Sequence, residues 1–223
     1  MDTRIARVGA AAGWLSLAMI FGYHIGLTIV AGQRVSGTTD AATIEAYYRN
    51  AVIAPASIAT FLAVVPIVIF AMALREAIGT SGGTRFLATL ALILVVVELP
   101  GILVQGALEA TLVTIATRGG DIVPLFRVWD VLYNSALYVL EAGWVAAFGI
   151  AMSGNPAFPR WLPRFSLVVA ALQLVNVAAI WVGMPDQLTL AGNFGFGIWI
   201  GGASFGLTRL ATASVRRMLT QPA

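Results

Sequence analysis

Four carboxylates interrupt the longest apolar stretches of this 223-residue sequence: Glu98, Glu109, Asp130 and Glu141. Acidic side chains are costly in hydrocarbon, so their presence there points to proton handling, ligand binding or ion pairing. Glu98, Gln105 and Glu109 are separated by seven and four residues. At 100° per residue that spacing keeps them within about 40° of one another on a helix. Asp130, Asn134 and Glu141 repeat the spacing in reverse, and the two sets are equidistant from Gly119-Gly120. A symmetric antiparallel hairpin then sets Glu98 against Glu141 at mid-depth, Gln105 against Asn134, and Glu109 against Asp130 near the outer surface. The same register places Gly101 opposite Tyr138 and Gly106 opposite Tyr133, small against large, as membrane helices pack.

The inner pair carries the more demanding chemistry. Two carboxylates close together at low dielectric do not both ionise easily, and a shared proton is the expected ground state. Glu98 and Glu141 are therefore the candidate acid–base or proton-exchanging residues. Pro100 has no amide donor and crowds the carbonyl of Val96, so it should bend the helix beside Glu98 and free an acceptor. No arginine of the apolar segments lies within two turns of either glutamate, whereas Arg118 and Arg127 are placed to neutralise Glu109 and Asp130 at the headgroups. A competing account of the inner pair is a mutual carboxyl hydrogen bond that only clips two helices together.

Other side chains could complete a cavity: Tyr23 and His24 in the first apolar segment, Gln173 and Asn176 in the fifth, with Trp181 and Trp199. His24 reads as a hydrogen-bonded residue between helices, because the paired Glu-x-x-His of di-iron bundles is absent. Most of the tryptophans read as interface anchors or packing residues, but Trp144, one turn from Glu141, could present an aromatic face to a cation. The candidate ligand-binding residues are thus Gln105, Glu109, Asp130, Asn134, Tyr138, Trp144, His24 and Asn176, and no metal site is expected.

The composition sets the environment: 59% of residues are hydrophobic and only 10% charged, against roughly 25% charged in soluble domains. All 13 basic residues are arginine; lysine and cysteine are absent and His24 is the one histidine. That excludes Schiff-base cofactors, disulfides, iron–sulfur clusters, thiolate zinc and bis-histidine haem, so no cofactor is implied. The formal charge of +3 does not indicate nucleic acid, since the arginines lie at helix ends, where they orient a membrane protein. Gly82-Gly83 lacks the Gly-Lys-Ser/Thr ending of a phosphate loop. Gly197 with Gly201, and Gly202 with Gly206, match the small-xxx-small spacing of close helix packing; a homo-oligomer stays open.

Six apolar segments must position these groups, at Val8 to Ala31, Ala51 to Leu74, Phe86 to Ala116, Leu125 to Met152, Phe165 to Met184 and Asn193 to Ala213. The expected fold is an all-α, polytopic membrane bundle of six transmembrane helices in a single domain. The first segment is longer than the apolar core of a signal peptide, so it should be retained. An inner side carrying nine arginines (4, 7, 75, 85, 160, 164, 209, 216 and 217) faces an outer side with four (34, 49, 118 and 127), which predicts N-in and C-in. In the outer loop Gln33 to Asn50, an Asp40 N-cap precedes Ile44, Tyr47, Tyr48 and Ala51 at helical spacing, with Glu45 and Arg49 as an ion pair four apart. That stretch should lie flat on the outer interface.

Through Glu45-Ala46-Tyr47-Tyr48, the Pro159-Arg160-Trp161-Leu162 turn and the six-segment layout, the chain resembles an uncharacterised family of small bacterial integral membrane proteins. The resemblance implies six helices in a bacterial inner membrane and brings no activity. Expected partners are the lipid bilayer and a small lipophilic or cationic molecule. The leading expectation is a pocket protein or carrier with proton-exchanging carboxylates; acid–base isomerisation or cyclisation of a lipophilic substrate, or a non-catalytic subunit role, are the alternatives.

Overall fold

The structure is a computed structural model that describes residues 2–31, 35, 39–50, 53–79, 81–182 and 187–220. The side chains of 23–30, 54–60, 134, 180, 181, 187–190 and 214–220 stand outside that description, as does that of Ala31. Described residues form helices and turns with no strand: α1 (Thr3–Ala31), α2 (Ala41–Tyr48), α3 (Ile53–Ile78), α4 (Gly82–Thr117), α5 (Val123–Val131), a π-helical segment (Leu132–Leu137), α6 (Tyr138–Met152), α7 (Leu162–Trp181) and α8 (Gln187–Thr220). Five helical runs are long and apolar enough to cross a membrane: those containing Thr3–Gly22, Phe61–Ile78, Gly82–Thr117, Val123–Met152 and Leu162–Ala179.

The long helices pack in chain order and close on themselves. α1 lies on α3, α3 on α4, α4 on α6, α6 on α7, α7 on α8, and α8 returns to α1. Short turns between consecutive elements make antiparallel neighbours the natural solution. Glycines let the backbones approach: the Gly197 and Gly201 face of α8 meets Phe21, Leu17 and Trp14 of α1, while Gly202 and Gly206 meet Trp161, Leu162 and Phe158. Both small-residue pairs are therefore used within the chain.

Two apolar clusters occupy opposite ends. One gathers Phe70 and Leu74 of α3, Ala91 and Val95 of α4, Trp144 and Phe148 of α6, and Trp199 and Leu207 of α8. The other joins Ile44 and Tyr48 of α2 to Leu112, Val113 and Ala116 of α4 and to Ile122, Phe126 and Trp129. At 1.5 Å per residue the 36 residues of α4 extend about 54 Å, well beyond a hydrocarbon core of about 30 Å. The projecting end needs a cover, and α2 supplies it. Ile44 and Tyr48 are buried against α4 and α5, so the apolar face of α2 docks on protein instead of lying flat in lipid. Its Asp40 cap and Arg49–Glu45 pair, at 2.9 Å, form as the spacing predicts.

The outer surface is apolar on every long helix: Leu15 on α1, Leu62, Val65, Ile69 and Met72 on α3, Val96 and Val104 on α4, Val139 and Ile150 on α6, Leu167 and Leu174 on α7, and Phe194, Ile198 and Phe205 on α8 are exposed. Polar residues are turned inward. Glu98, Gln105, Glu109, Asp130, Ser135, Glu141, Gln173 and Asn176 are all buried, in the layer separating the two apolar clusters. Hydroxyl groups on the helices bond to carbonyls one turn back, as with Ser16 to Ala12, Thr111 to Ala107 and Ser166 to Leu162, which satisfies these donors within their own helix.

Candidate functional site

Glu98 comes from the middle of α4, and α4 runs as one helix through Pro100. Glu141 comes from the first turn of α6. The spacing on α4 works as expected, since Glu98, Gln105 and Glu109 are all buried on one side. The equal spacing on the partner strand of the hairpin is altered by the π-helical segment at Leu132–Leu137, which inserts between Asp130 and Glu141. A π-turn carries an extra residue, so 100° arithmetic no longer links the two acids and the hairpin register shifts. Gly101 accordingly packs against Leu137, one residue short of Tyr138, and Gly106 packs against Phe61 of α3 instead of Tyr133. Both of the small-against-large pairings expected from symmetry are replaced.

Glu98 and Glu141 are 6% and 8% exposed, and a residue of α6 three positions after Glu141, Trp144, reaches Glu98. Each has a neutral donor. The indole N–H of Trp144 donates to Glu98 Oε2 at 2.6 Å, and the Gln173 amide of α7 donates to Glu141 Oε1. Among the described residues neither Glu98 nor Glu141 forms an ion pair. Trp144 therefore meets the site through its polar edge. Its ring lies edge-on to Phe148, Phe196 and Trp199, with centroids 6.3, 5.3 and 5.4 Å away, an arrangement that fixes the indole direction.

Beyond Gln173 the polar groups continue along α7. Asn176 Nδ2 donates to Gln173 Oε1 at 3.4 Å, and Asn176 Oδ1, buried, has no partner among the described residues. α8 closes this side: a Cβ on Gly192 would strike the Gln173 and Asn176 amides, so only glycine permits this approach. Next to it, Tyr138 donates its hydroxyl to Asn193 Oδ1 at 3.0 Å. Gly192 and Asn193 escape a reading of sequence because a glycine–asparagine pair at the edge of an apolar segment looks like a boundary.

Glu109 and Asp130 are 2% and 7% exposed, buried as deeply as Glu98 and Glu141; Arg118 and Arg127 are exposed. A ladder of rings passes them: Tyr48, Phe126, Trp129 and Tyr133, with Trp129 and Tyr133 stacked at 5.3 Å, leads to Tyr138. Gln105 is buried on the same side of α4. The side chains of His24, Asn134 and Trp181 lie outside the described ones. Among the described residues no three His, Asp or Glu side chains cluster to hold a metal.

The arrangement can hold a proton on either of two buried carboxyls, offer Asn176 Oδ1 as a hydrogen-bond acceptor, and attract a cation to Glu98 and Glu141, with which no described basic residue pairs. No family model, no curated protein and no solved structure matches this chain.

Proposed function

We propose that this chain is an integral membrane carrier or pocket protein that binds a small lipophilic cation and exchanges it for a proton at Glu98 and Glu141. The observation that carries the reading is that both buried acids are solvated by neutral donors, Trp144 and Gln173, with no described basic residue paired to either. A buried carboxylate without a counter-cation is stabilised by a proton or by a ligand cation, and the two compete. Aromatic rings leading from the outer cap toward the site suit a lipophilic cation arriving from that side.

In this reading α8 is the sixth crossing: it packs between α7 and α1 and turns Phe194, Ile198 and Phe205 outward as the other five runs do. The nine-to-four arginine bias supports N-in and C-in, and the resemblance to small bacterial proteins favours an inner membrane. A second reading, acid–base rearrangement of a lipophilic substrate, draws on the same two buried carboxyls.

The test is binding of tetraphenylphosphonium, a cation that does not titrate, to purified wild type, Glu98→Gln, Glu141→Gln and the double variant between pH 5 and 9. The expected result is affinity that rises with pH in the wild type and loses its pH dependence in each variant. Absence of binding, or folded variants with the wild-type pH profile, overturns the carrier reading. Conversion of a lipid extract by the wild type, abolished in both single variants, would establish the enzyme instead.

A further inference from the structure

We propose that Gln173 and Asn176 form a two-amide relay that reports the state of Glu141 to a ligand, with Asn176 Oδ1 as the seat for an N–H or O–H donor. The proposal deepens the carrier reading and rests on it. Its basis is the polarity of the chain of groups. Glu141 accepts from Gln173 Nε2, so Gln173 must turn Oε1 away, where Asn176 Nδ2 donates to it at 3.4 Å. Asn176 must then turn Oδ1 away in turn, and that atom is buried and unpartnered among the described residues, on a side chain only 1% exposed. Rotating the Asn176 amide does not relieve this, because it sets two carbonyl oxygens against each other.

A buried acceptor left without a donor is destabilising, by more than an ordinary hydrogen bond contributes. A ligand ammonium or hydroxyl in the site satisfies it. When a proton resides on the Glu141 oxygen that faces Gln173, the carboxyl becomes the donor and both amides turn over. Asn176 then presents Nδ2, and a ligand donor meets a donor. The proton stays on Glu141 throughout; only the direction of the hydrogen bonds reverses. The relay therefore makes the acceptor seat available in the state that also binds a cation, and withdraws it on protonation.

The surroundings leave this direction to Glu141. Glu98 of α4 is the titratable group acting on it. α7 presents Gln173 and Asn176 and carries Arg164 in its first turn; α3 carries Arg75 and Glu76 in its last; Tyr138 turns its hydroxyl to Asn193. Of the residues in the π-helical segment, Tyr133 stacks on Trp129 and leans on Tyr138. Gly192 keeps the amides in line, since any larger side chain there would displace them.

The test compares benzyldimethylammonium, which has one N–H, with benzyltrimethylammonium, which has none, on the detergent-purified full chain at pH 5 to 8. The wild type should prefer the N–H probe by about tenfold at pH 8, the effect of one buried hydrogen bond, and lose the preference toward pH 5. Asn176→Leu should abolish the preference at every pH, and Gln173→Met should keep it but free it from pH. Equal affinity for the two probes in the wild type overturns the relay, as a water on Oδ1 would predict; so does a preference that survives Asn176→Leu. If equal affinity accompanies pH-dependent tetraphenylphosphonium binding, the relay alone has failed. If neither probe nor tetraphenylphosphonium binds, the carrier reading fails with it.

Discussion

Trp144 reaches across from α6 to donate its indole N–H to Glu98 on α4 at 2.6 Å, three residues after Glu141 on its own helix. One face of α6 thus supplies one acid of the pair and anchors the other. Because the donor is neutral, it orients Glu98 without cancelling its charge. An arginine in the same place would have locked the pair as a permanent salt bridge, with no role left for a proton or a ligand cation.

Trp144→Phe keeps most of the ring packing and removes the donor. We expect a stability loss of about 1–2 kcal/mol in thermal unfolding of the detergent-solubilised protein. Trp14→Phe, at a residue 44% exposed, should change it little. Equal effects from the two substitutions would mean that the indole contributes bulk alone.

The coupling between the acids has its own signature. Replacing either Glu98 or Glu141 by Gln removes whatever interaction the two carboxyls share, so the second replacement cannot remove it again. A double-mutant cycle in denaturant unfolding should therefore depart from additivity by about 0.5–3 kcal/mol. Additivity within the error of the cycle would place the two carboxyls out of reach of each other.

Much of this architecture was readable from residue order, and the failures have a common cause. Glu98 and Glu141 are both buried, and Asp40 caps α2 as its spacing suggests. Gly101 and Gly106 met other partners because the π-helical turn at Leu132–Leu137 breaks a symmetry that assumed a constant 100° per residue. Nothing in Leu-Tyr-Asn-Ser-Ala-Leu announces that turn; it is a tertiary choice. The docking of α2 on the end of α4 was hidden for a different reason: an amphipathic helix has the same pattern whether its apolar face meets lipid or protein. The Gln173–Asn176 relay needed the orientation of two amides, which sequence does not contain.

Close packing of α6 on α7 depends on Gly149, where a Cβ would collide with the Ser166 side chain and approach the Pro163 carbonyl at 3.3 Å. Ser166 also accepts the Trp199 indole N–H at 2.7 Å, so a wedge here disturbs α8 as well. Gly149→Val should destabilise by about 1–3 kcal/mol or more, as overpacked cores do. Gly83→Ala, where a Cβ meets open space, should leave the melting temperature unchanged. A tolerated valine at 149 would show that α6 and α7 are less tightly joined than described.

Asp40 gives a pH dependence outside the apolar helices. The Thr43 hydroxyl, at 2.7 Å, and the Thr43 backbone N–H, at 2.9 Å, hold its carboxyl below the ordinary aspartate value. A carboxyl depressed in the folded state stabilises fully above the ordinary value of about 3.9 and loses that contribution as pH falls through the folded value. Hydrogen exchange at Thr43 and Ile44 should therefore show weaker protection at pH 3 than at pH 6 once intrinsic rates are removed. Asp40→Asn, which still caps, should lose the pH dependence, and Asp40→Ala should lose protection at both. Unchanged protection in Asp40→Ala would mean that the apolar docking of Ile44 and Tyr48 holds α2 unaided.

The absence of native cysteine makes the orientation directly testable. Ser81, Asp121, Ser153 and Ala213 are exposed and sit respectively between α3 and α4, between α4 and α5, after α6 and near the end of α8. With N-in topology and α8 as a sixth crossing, a membrane-impermeant maleimide should label Asp121→Cys in intact cells. Ser81→Cys, Ser153→Cys and Ala213→Cys should react only after permeabilisation. The reverse pattern would mean that four outer arginines outweigh nine inner ones, contrary to the charge bias that orients membrane helices. Labelling of Ala213→Cys together with Asp121→Cys, and not with Ser153→Cys, would show that α8 fails to cross. Its glycine-rich face would then serve only to close the ring between α7 and α1.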